Sequence, residues 1–310
     1  MKYSFALFKK DVKFFLINMR YWRKYRLVRA KNRNTLYFVF RPEQPHAGIA
    51  DRLKAVIALY NHAKANGYGF KFYFETPFVL TDFLRPNTDW PLKLEELEYS
   101  VFDTKIINET NWHRLPSLIP NKQYHCYNYT GNEIPWQFED TGYCWSHLFQ
   151  ELFAPSDILR EAIESCHMEP HAYISVQLRF VNALERFENT FFDNYLETQE
   201  ERDALIRKCK KGITEIVEEH KGIPVYVFSD SKVFLESLSD MPVKVLNTES
   251  IGHTNEQGKT DVYLKSFLDL FIMSKSKDIY RILSPELYQW SCYALLAARI
   301  GDIPFHDKWL

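Results

Sequence analysis

Three apolar runs in the C-terminal half of the chain end in polar side chains of a consistent kind. Ala172–Leu178 leads into Arg179, Val225–Phe228 into Ser229-Asp230-Ser231, and Ile279–Leu283 into Ser284 just before a helical pattern. If these runs are neighbouring parallel strands, their ends open into one crevice, where ligands of open α/β sheets bind. An arginine beside a helix N-terminus in such a crevice offers a diphosphate two charge-assisted hydrogen bonds and a row of backbone N–H groups, with no metal required. Any one of these residues could equally be a surface ion pair. Three strand ends in register make a shared site the better reading.

The elements that must position these groups can be read from periodicity. Thr35–Phe40 is β-branched and aromatic and closes at Arg41-Pro42, as a strand would. Ile49, Leu53, Val56, Ile57, Tyr60 and Ala63 recur at helical spacing until Asn66-Gly67, and Phe70–Phe74 follows as a second strand. Strand, helix and strand at these lengths form a βαβ unit with parallel pairing. Residues 85–145 are dense in Pro, Asn, Trp and Tyr and poor in periodicity. Only Lys105–Ile107 reads as a strand there, so long loops are expected, suited to lining an acceptor groove. Ser156 is placed to cap a helix over Asp157–Cys166. The second half then alternates strictly: strand 172–178, helix 200–220, strand 225–228, helix 231–238, strand 243–246, helix 261–274, strand 279–283 and a closing helix 286–300. The expected fold class is α/β, with two Rossmann-like doubly wound domains facing a cleft. Residues 34–155 form the acceptor-side domain and 156–310 the nucleotide-binding domain, after a basic segment at 1–33.

Composition bounds the function classes. The chain has 310 residues, 46% hydrophobic and 25% charged, which fits two globular domains and argues against disorder. Aromatics at 16% supply rings that can stack on sugars and bases, although most must serve as core. The five cysteines are scattered and show no CxxC spacing, as expected for a reducing, cytoplasmic setting rather than a disulfide or zinc framework. Walker A, HExxH, GxSxG and GxGxxG patterns are absent, and so is Asp-x-Asp, the carboxylate pair that metal-dependent sugar transferases generally use. No cofactor or metal is therefore expected. Residues 1–33 carry eleven Lys or Arg against the single acid Asp11, although the chain as a whole has net charge −1. Phe5, Phe8, Val12, Phe15, Met19 and Trp22 share one helical face, with Lys9, Lys13, Arg20 and Lys24 on a flank. Such a helix can lie peripherally in an anionic membrane surface or dock on its own domain. The acidic remainder disfavours nucleic acid.

Several segments together resemble the fucosyltransferase superfamily of GT-B architecture, which includes the bacterial nodulation, α-1,2- and animal core α-1,6-fucosyltransferases. His46-Ala47-Gly48-Ile49-Ala50-Asp51-Arg52-Leu53 is similar to the family's Gly-Leu-Gly-Asn-Arg-Leu turn. Ile174-Ser175-Val176-Gln177-Leu178-Arg179 is similar to its strand ending in His-x-Arg, and Leu152-Phe153-Ala154-Pro155-Ser156 to its Phe-x-Pro hinge. The tail follows the family in order: Phe228–Ser231, His253, Ser266–Ser274, then Ser284 and a helix with Tyr288, Trp290 and Ala294. The sequence departs from the pattern at Gln177, where the family has His, at Ala50, and at Pro285-Glu286.

The resemblance implies an inverting transfer of fucose from GDP-fucose to an oligosaccharide or other glycan acceptor. Arg179 would hold the β-phosphate as negative charge develops on the leaving diphosphate. Asp269 would face the guanine, and Asp230 and Ser284 would lie near the ribose and phosphates respectively, with Gln177 and Ser231 also in the donor site. Gly48, Asp51 and Arg52 would form the first domain's share of the donor site. An inverting transfer also needs a base within reach of the acceptor hydroxyl. Glu185 is the expected base, with Glu188, His46 and Asp51 as alternatives. A different nucleotide sugar, or a non-catalytic nucleotide- or glycan-binding relative, would use the same frame.

Overall fold

The computed structural model describes Leu16, Met19 and residues 21–40, 48–108, 115, 117–127, 144–186, 194–246 and 260–310. Two compact units emerge from it. One comprises Met1–Thr76 with Pro86–Leu152, the other Pro77–Arg85 with Phe153–Leu310.

The first unit is built on four parallel strands: β1 (Thr35–Val39), β2 (Gly69–Tyr73), β4 (Thr104–Asn108) and β5 (Gln123–Tyr127), in the order β2-β1-β5-β4. β1 and β2 pair in parallel across helix α1 (Ile49–Ala65), the βαβ unit expected from the sequence. α1 is buried on nearly every side, from Ile49 through Ala63, which its run of Ala, Leu, Val and Ile at 53–59 allows. Helix α2 (Trp145–Leu152) packs against it.

β5 and α2 are corrections to the sequence reading. β5 reads Gln-Tyr-His-Cys-Tyr, yet all five residues are buried. Its glutamine escapes the usual penalty because its amide is bonded. Gln123 accepts the Glu98 N–H at 3.0 Å and gives its own amide to the Asn32 carbonyl at 3.0 Å. Hydrophobicity alone could not reveal a strand whose buried polar atoms find partners far away in sequence.

The second unit holds five parallel strands: β7 (Ile174–Leu178), β8 (Val225–Ser229), β9 (Lys244–Val245), β10 (Asp278–Leu283) and β11 (Phe305–Trp309). Their order is β11-β10-β7-β8-β9. The chain starts in the middle, winds outward one way and then returns to wind the other way. That is the Rossmann order, and the direction reverses between β7 and β10. Crossovers between parallel strands are right-handed as a rule, which puts the helices of the two halves of such a sheet on opposite faces. On one face Ile174, Val176 and Leu178 meet Leu205, Cys209, Ile213 and Ile216 of α4 (Gln199–Glu219), together with Phe234 and Leu235 of α5 (Lys232–Ser237). Helices α6 (Thr260–Met273) and α7 (Tyr293–Gly301) belong to the other half and pack on one another. Before the sheet, Ser156 caps α3 (Asp157–Ser165), its Oγ accepting the Leu159 N–H at 3.4 Å, as its type predicts.

Two further differences from the sequence reading lie here. The closing helix begins at Tyr293 rather than Glu286. Residues 284–292 form turns because their polar groups bond elsewhere: the Tyr288 N–H to the Arg179 carbonyl, and the Ser291 carbonyl to Arg281 Nη1. β11 is an edge strand whose charges conceal it. Asp307 takes a two-pronged bond from Arg281 at 2.7 and 2.8 Å, and Lys308 pairs with Glu215 at 2.9 Å.

Pro77–Arg85 joins the second unit through aromatic packing. Phe78 lies 4.6 Å from Tyr263, and Phe83 stacks on Phe267 at 4.9 Å, both partners on α6. The short ribbon β3 (Leu84–Pro86) with β6 (Phe153–Pro155) fixes this segment where the chain passes between units.

The end of α7 is packed tightly enough to test. A Cβ on Gly301 would overlap the Ser274 carbonyl, a backbone atom that cannot swing away. Gly301→Ala should destabilise the protein by about 1–3 kcal/mol, as overpacking typically does, measured by urea denaturation.

Candidate functional site

The reversal of strand order between β7 and β10 puts Arg179 and Ser284 beside one another at the C-terminal ends of adjacent strands. In a sheet of this order that is where a ligand crevice opens. Arg179 is partly buried, and its Nη1 lies 3.3 Å from Asp230 Oδ2. Asp230 follows β8 and does more than pair with Arg179. Its Oδ1 accepts the Phe180 N–H and its Oδ2 the Val181 N–H, both at 2.8 Å. Val181 needs such a clamp, because its φ is +56°. A β-branched residue in that left-handed region is strained by roughly 1–2 kcal/mol. The strain sits immediately beside the arginine, as strain at functional sites commonly does.

Ser231 caps α5, accepting the Phe234 N–H at 3.2 Å, and its hydroxyl donates to Glu185 Oε1 at 2.8 Å. The Val233 N–H reaches the same oxygen at 3.3 Å. Arg179, Asp230, Ser231 and Glu185 therefore form one connected cluster. Glu185 stands in it as a carboxylate tied to a helix N-terminus, with one oxygen engaged.

Ser284 is fully buried, and its hydroxyl has two partners. Lys208 Nζ donates to it at 2.9 Å, and it bonds to Glu286, which Lys208 also reaches at 3.2 Å. Burial raises the Glu286 carboxyl, but the bonds from Ser284, its own backbone and Lys208 outweigh this and hold it below the ordinary glutamate range. Asn194 joins the two loops, donating to the carbonyls of Phe180 and Glu286 at 2.9 Å each.

Asp269 lies on α6 and is held by Lys265 in an i,i+4 pair at 2.5 and 2.6 Å. Burial pushes its carboxyl up, and Lys265 partly offsets this. The neighbouring Tyr293 hydroxyl donates to the Ser266 carbonyl. Tyr293 is raised well above the ordinary tyrosine range, first by burial and then by Asp269, with Arg179 opposing. Tyr293 thus stands within electrostatic reach of both Asp269 and Arg179. Gln177 is buried in the middle of β7, and its Oε1 has no hydrogen-bond partner.

In the first unit, Gly48 caps α1 with φ −58°, a conformation open to any residue, and a Cβ there would meet nothing within 4 Å. Neither turn geometry nor packing calls for glycine at this helix N-terminus. Asp51 is raised by burial, partly offset by Lys54. Arg52 is buried, with its guanidinium over the Phe40 and Phe74 rings and bonded to the Thr76 carbonyl. His46, Glu188 and His253 lie outside the described residues. Among the described residues, no three His, Cys, Asp or Glu side chains come together as metal ligands would.

The sequence reading did not single out Lys208, Asn194 or Tyr293. Lys208 is one of many charges on α4, and Asn194 sits in an aperiodic loop. Tyr293 looked like helix interior. Their roles depend on contacts spanning 14 to 92 residues, which no local pattern carries.

No protein-family model matches the chain, and no curated protein matches its sequence. Solved structures do. NodZ α-1,6-fucosyltransferase soaked with GDP-fucose superposes with a TM-score of 0.57 at 13% identity, covering 87% of this chain and 93% of that one. Fucosyltransferase NodZ from Bradyrhizobium gives 0.54 at 13%, covering 86% and 92%. A mutant of Arabidopsis thaliana FUT1 in complex with GDP gives 0.55 at 12%, covering 93% and 73%. The chain therefore has the α/β fold of the GT-B fucosyltransferases, with Rossmann-like parallel sheets. The Rossmann strand order and the strand-end cluster agree with that fold.

Two expectations follow from the site. Asp230→Ala leaves two amide N–H groups and a guanidinium without their acceptor. It should cost about 2–4 kcal/mol in urea denaturation. The lowered Glu286 carboxyl contributes stability above the ordinary glutamate pKa and loses it as pH falls through the lowered value. The melting-temperature gap between wild type and Glu286→Gln should accordingly narrow below about pH 4.

Proposed function

We propose that this chain is a glycosyltransferase that moves fucose from GDP-fucose to a glycan acceptor, with inversion and without a metal, at the cytoplasmic face of a membrane. The observation that carries the reading is Arg179, fixed by Asp230 at the strand-order reversal of a sheet whose fold is shared with GDP-bound fucosyltransferases. As the sugar–phosphate bond breaks, negative charge builds on the β-phosphate. A pre-oriented guanidinium stabilises that charge more than it stabilises the intact donor, which is the condition for faster chemistry. Ser284, with Lys208 behind it, adds a hydroxyl and positive charge on the neighbouring strand end. Asp269 is the carboxylate for the guanine N–H donors, which it would take in competition with Lys265.

The acceptor hydroxyl must lose its proton to a base. Glu185 belongs to the Arg179 cluster, whereas Asp51 has the carboxyl that burial raises. Turnover separates them. Glu185→Gln at wild-type rate, with Asp51→Asn inactive, would hand the role to Asp51.

The nucleotide is tested by thermal shift. GDP should raise the melting temperature, and UDP and CDP at the same concentration should not. Arg179→Ala should weaken GDP binding at least tenfold, equivalent to about 1.4 kcal/mol or more, since it removes a charge-assisted contact. Stabilisation by UDP or CDP instead would keep the fold and change the donor. GDP binding without transfer from labelled GDP-fucose to any member of an oligosaccharide panel would point to a binding protein. No response to GDP at all would remove the reading.

A further inference from the structure

Two pairs of exposed apolar side chains of the first unit lie on neighbouring segments. Leu27 is 79% exposed, Val28 62%, Val101 51% and Phe102 46%, and Leu16, Met19 and Trp22 are exposed as well. Leu27 and Val28 are not simply a frayed end. The Arg26 N–H bonds to the Tyr99 carbonyl at 2.7 Å, and the Val101 N–H returns to the Arg26 carbonyl at 3.0 Å. This bridge of Arg26 with Ser100 lays the two segments side by side. From within, Tyr21 anchors the segment, buried against Tyr127 at 5.1 Å and Tyr99 at 6.2 Å. Ala30 is pinned too, its N–H bonded to Asp103 at 3.0 Å. The outer face is therefore a folded surface carrying two apolar pairs, 27–28 and 101–102, side by side.

Its charge is of one sign. Arg23, Lys24, Arg26, Arg29, Lys31 and Arg33 are all exposed around these pairs. The nearby acids are engaged inward. Asp103 is buried and pairs with Arg29 at 2.7 Å, and Glu98 accepts the N–H groups of Lys31 and Asn32 at 2.8 and 3.0 Å. Arg29 also lies over the Phe102 ring at 5.1 Å, and Lys122 reaches the Phe102 carbonyl. Among the described residues no helix is long and apolar enough to cross a membrane.

We infer that this two-segment face docks on an anionic lipid surface. Leu27, Val28, Val101 and Phe102 enter the headgroup layer, and the surrounding arginines and lysines hold lipid phosphates and carboxylates. Apolar residues ringed by one sign of charge suit a lipid interface of the opposite charge, where each basic residue adds attraction and each buried methylene adds more. The inference refines the membrane part of the reading above. It adds the 100–102 loop to the end of the basic segment, residues 21–33, which Tyr21, Arg26 and Ala30 hold on the domain. It does not depend on the donor site.

The test is co-sedimentation of the full chain with vesicles of pure phosphatidylcholine and with vesicles in which about a third of the lipid is phosphatidylserine. Binding is expected to the second only, and to weaken steeply as salt is raised. Leu27→Glu with Val101→Glu, both exposed positions, should reduce that binding about tenfold, as should Arg23→Glu with Arg26→Glu. Each pair should leave the melting temperature and the GDP-induced shift unchanged, so a failed donor reading would show separately as a missing shift. Equal binding to both vesicle types would overturn the proposal, as would wild-type binding by the glutamate pairs. A concentration-dependent oligomer lost in Leu27→Glu/Val101→Glu would overturn it too, by making the face a contact between copies of the chain.

Discussion

One carboxylate organises the second unit's site. Asp230 receives two consecutive backbone N–H groups and the Arg179 guanidinium, so it fixes both the path of the chain leaving β7 and the direction of its arginine. Without an acceptor at that spot, Val181 would have no reason to stay in a left-handed conformation. Relaxing it would rotate the following loop, which carries Glu185 and, through Asn182 and Asn194, connects to the β10 exit. The dependence runs one way. Asn194 also holds three groups, but all are backbone, whereas Asp230 holds the backbone and the arginine together.

Much of the polar burial elsewhere in this unit follows the same logic. Ser284, Tyr293 and Asp269 are each paired, through Lys208, the Ser266 carbonyl and Lys265. Gln177 is different: its carbonyl oxygen is buried without an acceptor's partner in the middle of a strand. An unpaired buried amide oxygen costs free energy that an apolar residue at the same place would not. It lies one strand position before the residue that precedes Arg179, where the resembling family has His.

The sequence carried the alternation of strands and helices because the apolar positions of β1, α1, β7, α4 and β8 repeat at periods set by local geometry. It carried the strand-end residues for the same reason, since a strand's end is visible where its apolar run stops. It did not carry β5 or β11, whose polar residues become tolerable only through Asn32, Glu98, Arg281 and Glu215. Nor did it carry the start of α7, where a long-range amide bond to Arg179 outcompetes helical pairing. The candidate residues were legible as types and places. Their partners were not, because Lys208 and Tyr293 meet the site only after the sheet has formed.

The segment Pro77–Arg85 has a consequence for how this protein can be taken apart. The chain crosses between its two units at Thr76, at Arg85 and at Leu152, not once. The rings that cover Tyr263 and Phe267 on α6 are supplied from a stretch that interrupts the first unit's own sequence between Thr76 and Pro86. A second unit excised as 153–310 would leave those two aromatic faces bare and prone to aggregate. Exchange of this unit is therefore not a single-cut operation. Phe78 and Phe83 must travel with it.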